Sequence, residues 1–241
     1  MKLGIMQPYF LPYIGYWQLM NAVDKYVIYD DVNFIKGGWI NRNRILLNGK
    51  SQYFNIQMQG ASSFKLINEI NINNNEININ KNLKTIYMAY HKAPNFFKVY
   101  KLLQDILEKQ TDNLAEYVIN SIRVMADYLN ITTEIVISSS INKDNSLRGQ
   151  DKVIEICKKL NATDYYNAIG GMDLYSFDEF KENGINLSFL KTNDICYKQF
   201  DNEFVPNLSI IDVMMFNSQA EIKTMLDDFT LIKKSKILFG G

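Results

Sequence analysis

The chain opens on a short apolar run, Lys2 to Gln7, that Pro8 ends. Beyond Pro12 the pattern changes period, and Ile14, Trp17, Leu19 and Met20 supply the apolar positions of a helix running from Tyr13 to Val23. Lys25 to Tyr29 is a second β-branched and aromatic run, and it stops at Asp30-Asp31. Strand, helix and strand in so short a span predict a βαβ unit, and with it a parallel sheet joined by a right-handed crossover.

From Asn33 to about Asn82 that rhythm is lost. Gly37-Gly38 and Asn48-Gly49 are turn signals, and Arg44–Leu47 and Gln52–Met58 are the candidate strands around the second. Lys65 to Asn82 alternates Ile with Asn, which predicts a half-buried strand followed by a polar loop, or mere low-complexity drift. Pro94 separates helices at Leu83–Lys92 and Phe96–Lys109, and Asp112 or Asn113 caps a third that ends near Asn130.

The α/β alternation then returns. Strands are expected at Thr133–Ile137, Asp164–Ile169 and Ile185–Leu190, with helices at Asp151–Leu160, Phe177–Glu182, Leu208–Phe216 and Ala220–Phe229. The tail to Gly241 is apolar with lysines. The expected fold is therefore α/β: one domain over residues 1–241, with a Rossmann-like parallel sheet carrying helices on both faces. A β-rich and helical insertion, residues 33–130, follows the second strand.

Composition narrows the function. With 241 residues, 47% of them hydrophobic, the chain can bury one substantial core. The 26 Lys+Arg and 26 Asp+Glu cancel, and only four residues are arginine, which argues against a nucleic-acid partner. There is no apolar run of about 18 residues, so no membrane span is expected. The proline-broken N-terminus does not read as a signal peptide, and Cys157 and Cys196 form no CxxC motif, so a cytoplasmic protein is the default expectation. His91 is the only histidine, so histidine catalysis and a His/Cys metal site are poorly supplied, and no metal site is expected. Its place at a helix end suits the helix dipole, and Cys157 falls on an apolar helix face.

Five segments carry candidate chemistry for a small-molecule substrate. Gln7 to Tyr16 follows the first strand, where open α/β sheets bind ligands, and Gly15 would admit a phosphate near the helix start. Gln7, Tyr9, Tyr13 and Tyr16 are its candidate contacts, although Tyr13 and Tyr16 serve equally well as core. Asp30 and Asp31 end the second strand as candidate general bases. After them come Lys36, Trp39, Asn41, Arg42, Asn43 and Arg44, a set suited to phosphate, carboxylate or sugar hydroxyls. Ser138 and Ser139, followed by Lys143 and Arg148, suit a phosphate loop or a serine N-cap cluster. Gly170-Gly171 before Tyr175 supplies either a nest of N–H groups or a turn. Gln199 precedes a helix in which Asp212, if buried, needs a partner, and an arginine of the second segment is a candidate.

Several of these motifs occur together in one family. Gln7-Pro-x-x-x-Pro-x-x-Gly15, Asp24…Asp30-Asp31, Trp39-x-Asn-Arg-Asn-Arg44, Tyr90-x-Lys-Ala-Pro94, Gly170-Gly171…Tyr175 and Leu208-Ser-Ile-Ile-Asp212 resemble the WbqC-like family over nearly the whole chain. The resemblance implies a place in bacterial O-antigen or other surface-polysaccharide synthesis, with glycine or another acyl group transferred to an amino sugar. Pro12-Tyr-Ile-Gly-Tyr16 and the Ser138–Ser140 segment also resemble the motifs of HIGH-type nucleotidyltransferases. That second likeness implies a nucleotide, ATP or a nucleotide sugar, with magnesium, and leaves two alternative functions: a nucleotide-dependent ligase or nucleotidyltransferase with altered motifs, or a non-catalytic nucleotide-sugar-binding protein. Tyr13 and Tyr16 stand where that family has histidines, and tyrosine brings no positive charge at neutral pH.

Overall fold

The computed structural model describes residues 1–201 and 203–233. The expected βαβ unit forms as β1 (Lys2–Met6), α1 (Ile14–Asn21) and β2 (Lys25–Ile28). The insertion follows, with strands β3 (Arg42–Leu47), β4 (Lys50–Asn55), β5 (Met58–Gln59) and β6 (Asn71–Ile72). Its helices are α2 (Glu76–Tyr90), α3 (Phe96–Leu107) and α4 (Leu114–Tyr128). The α/β part resumes with β7 (Glu134–Ile137), α5 (Gly149–Lys159), β8 (Asp164–Ala168), α6 (Phe177–Glu182) and β9 (Asn186–Thr192). It ends with α7 (Ile210–Phe216), α8 (Gln219–Leu226) and β10 (Phe229–Lys233).

The main sheet has six strands in the order β10-β9-β8-β1-β2-β7. All neighbours are parallel except β9 and β10. The chain runs outward from β1 through β2 to β7 and then returns to β8 on β1's other side. This reversal makes the switch point of a Rossmann-like sheet between β1 and β8. Alternation along the strands fills both faces: Tyr26 and Ile28 join one core with α1 and α7, while Val27 joins the other with Val153, Ile156 and Phe180. The apolar side of the insertion, including Phe54, Ile86 and Leu103, belongs to the α1 and α7 core.

Two elements differ from the sequence expectation. The Ile/Asn stretch is helical from Glu76, capped by Asn75 Oδ1, which accepts the Asn78 N–H at 2.9 Å. Ile79, Leu83 and Ile86 are buried at helical spacing, so tertiary packing overrides the weak helix propensity of Asn. Phe229 opens an antiparallel edge strand against β9 instead of ending a helix, because Asp228 already lies beyond α8. The tail beyond Lys233 lies outside the described residues. The Asn48-Gly49 turn forms as its sequence demands, with φ of 53° and 71°, the pair of positive values a two-residue hairpin loop needs.

Candidate functional site

Consecutive residues at the end of β2 point to opposite sides, and this splits the Asp30-Asp31 pair. Asp30 is buried and accepts two bonds from Ser139, at 2.9 Å from the backbone N–H and 2.6 Å from the hydroxyl. Asn68 of the insertion adds a third at 3.3 Å. Asp31 meets cations instead: Lys143 Nζ lies 2.7 Å and Lys152 Nζ 3.7 Å from its Oδ2. Both lysines are buried, and Lys143 also donates to the Ser138 carbonyl. Burial opposes the charge of Asp31, but hydrogen bonding and charge from Lys143, with Lys152 adding charge, outweigh it and hold the carboxyl below its ordinary pKa.

Beside Asp31 is a cavity of about 410 Å³, walled by Tyr29, Ser139, Asn145, Arg148 and the first turn of α5. No side chain caps α5, whose N-cap residue is Arg148, so its first N–H groups and its dipole are available to a ligand. Gly149, the first residue of the helix, has a φ of +53° with open space beside its Cα. Among the lining residues Arg148 and Lys152 set two positive charges against the one carboxylate of Asp31, which Lys143 pairs with from outside the cavity. Burial and the Asp31 charge keep the Tyr29 phenol protonated, and so a donor. The arrangement suits an anion, a phosphate or carboxylate, presented to donors that are already in place. Among the described residues no group of three or more His, Cys, Asp and Glu side chains is arranged to hold a metal ion.

The remaining candidates are dispersed. Gln7 and Tyr9 follow β1, and Gly170, Gly171 and Tyr175 follow β8, on the two sides of the switch point. Gly170 and Gly171 lie in a 3₁₀ turn over Ile169–Leu174, and Tyr175 packs edge-on against Tyr165 at 5.7 Å. Gly15 proves to be a packing glycine: a Cβ there would stand 2.5 Å from the Tyr13 ring and 2.6 Å from Thr192 Oγ1. Tyr13 thus covers the surface where a phosphate would approach. Tyr16 is core, with its hydroxyl donating to the Gln7 carbonyl at 3.2 Å.

Lys36, Asn41 and Arg42 line a separate cavity of about 430 Å³ on the insertion. Arg42 donates to the Gly38 carbonyl at 3.1 Å and lies over the Tyr53 ring. Arg44 reaches the Asn207 carbonyl at 3.2 Å and lies over Trp39. Asn43 is buried and ties the β3–β4 hairpin to the Phe10 carbonyl at 3.2 Å. Ser138 is buried with no contact to the cavity.

No arginine meets Asp212. This buried carboxyl accepts from Tyr90 at 2.9 Å, Tyr197 at 2.7 Å and Gln199 at 2.6 Å, and burial raises its pKa despite the three bonds. The Gln199 amide oxygen also accepts from the Val205 N–H, at 2.7 Å, so the side chain clamps its own loop to Asp212. Cys157 is core, and burial pushes its thiol up to about 12.

Tyr29, Gly149 and Lys152 are the site residues that the sequence reading did not select. Lys152 carried a signal: it stands four residues before the fully buried Ile156, on the inward stripe of α5, where an unpaired lysine would be costly.

A six-stranded, mostly parallel sheet with helices packed on it and a cavity at the carboxyl ends of its strands defines a Rossmann-like α/β protein. Residues 7–224 match the WbqC-like protein family, and the chain belongs to that family. It is 27% identical over 223 residues to "Uncharacterized protein Rv1507c" of Mycobacterium tuberculosis, covering 91% of this chain and 95% of that one. No solved structure matches the chain. Among the described residues no helix is long and apolar enough to cross a membrane.

Proposed function

We propose that the protein transfers an acyl or aminoacyl group, glycine among the candidates, to the amine of a nucleotide-linked amino sugar in the synthesis of a bacterial surface polysaccharide. The observation that carries this reading is the cavity at the start of α5, where Lys152, Arg148 and free helix N–H groups converge. A nucleotide sugar offers the diphosphate such a site selects. Membership of the WbqC-like family supports the polysaccharide setting.

Ser139 borders the cavity, and its hydroxyl donates to the carboxylate of Asp30, which is itself shielded from water. In the proposed step the neutral amine attacks the carbonyl carbon of an activated acyl donor. The C–N bond forms, and the bond to the leaving group breaks with its electron pair. The amine proton passes to Ser139 Oγ as the Ser139 proton moves to Asp30. Asp31 stays ionised and holds Lys143 and Lys152 in position.

Isothermal titration with nucleotide-linked 3-amino and 4-amino sugars tests the reading. Saturable binding that Arg148→Ala weakens is the expected result. A folded protein that binds none of them overturns it, and binding of ATP with magnesium alone would favour a nucleotide-dependent ligase.

A further inference from the structure

A second cavity, of about 490 Å³, lies on the other side of the Asp30-Asp31 pair, between β7 and α4. Asp30 and Asn68 form its floor, and Ser139 is common to this cavity and to the one at α5. Arg123, Lys109 and Asn120 converge on it. Among the described residues none of these three side chains has an ion-pair or hydrogen-bond partner. The acidic residues around them are already engaged: Glu116 accepts from Thr111 at 2.7 Å, and Asp30 is held by Ser139 and Asn68. Those bonds come from neutral donors and bring no positive charge to the two carboxylates; the donors left without an acceptor are those of Arg123, Lys109 and Asn120.

We propose that this α4 cavity is the site of the second substrate, and that Arg123 and Lys109 grip a carboxylate or phosphate on it. The inference rests on the two-substrate reading above. A transfer reaction needs its partners on two approaches to one point, and Ser139 is the residue both cavities reach. An arginine offers such an anion a planar fork, a lysine adds a point charge, and the Asn120 amide supplies a neutral donor.

The test uses the full chain, labelled with nitrogen-15, titrated separately with acetate, inorganic phosphate and a nucleoside diphosphate. The expected result is saturable amide shifts over Asn120–Arg123 with acetate or phosphate, in addition to shifts at Gly149–Lys152. The acetate and phosphate arms distinguish a carboxylate ligand from a phosphate one. Lys109→Ala combined with Arg123→Ala should weaken the α4 response by about tenfold or more, the factor expected when charge-assisted hydrogen bonds are lost, and leave the α5 response intact. Both side chains are exposed, so the variant keeps its fold, which the dispersion of its spectrum verifies. No saturable shift at α4, or one that the double variant leaves unchanged, overturns the proposal. Absence of nucleotide-sugar binding at α5 would instead sink the functional reading, whatever happens at α4.

Discussion

Lys143 Nζ sits 2.7 Å from Asp31 Oδ2, with the two side chains 1% and 9% exposed. An ion pair so far removed from water is held by mutual need. Either charge alone would face a desolvation cost with nothing to offset it.

Asp31→Asn should therefore leave Lys143 and Lys152 without a counter-charge and destabilise the fold by about 3–5 kcal/mol. Chemical denaturation of the variant checks this. Asp31→Asn combined with Lys143→Met should recover part of the loss, because the pair is then removed from both sides.

The pH dependence of stability should contain two opposed carboxylate contributions. Asp31 is depressed in the fold, so its contribution is present above the unfolded carboxyl pKa and disappears as pH falls through the lower folded value. Asp212 is raised, so the folded protein gains stability as pH falls from its folded value toward 3.8. Thermal melts between neutral pH and pH 4 should show that gain in the wild type, and Asp212→Asn should remove it.

Gly15→Ala separates packing from ligand binding. The new methyl must displace the Tyr13 ring or Thr192, at a cost of about 1–3 kcal/mol for an overpacked site. Anion binding at α5 should be unchanged. A melting temperature that holds while nucleotide binding fails would restore Gly15 as a ligand contact.

Arg148→Ala should weaken nucleotide-sugar binding by roughly tenfold or more, since hydrogen bonds to charged groups contribute about 1.5–3 kcal/mol. Its effect on stability should be small, because the guanidinium bonds only to carbonyls of its own loop, at Asn145 and Leu147. Titration calorimetry beside a denaturation curve reads both quantities.

The site was legible in part. Asp30, Asp31 and Ser139 stood out because they follow strands, and a strand's carboxyl end is a fixed place in a parallel sheet. Arg42 and Arg44 stood out by type and spacing, yet their guanidiniums turn to loop carbonyls and aromatic rings of the insertion. Spacing on a strand settles which face a side chain takes, but what waits on that face depends on distant chain. Asp212 illustrates the same limit, since Tyr197 and Gln199 reach it across a loop and Tyr90 from 122 residues away in the sequence.

The sequence by itself determined the elements whose causes are local: the βαβ opening, the Asn48-Gly49 hairpin, the start of α4 at Asp112 or Asn113 and the return to α/β order after the insertion. The tertiary structure alone decided the helical state of the Asn-rich stretch, the antiparallel strand β10, and the assignment of Asp30 and Asp31 to different cavities. Those outcomes depend on burial and charge pairing between residues remote in the chain. The energies involved exceed the few tenths of a kcal/mol per residue by which local preference separates one conformation from another.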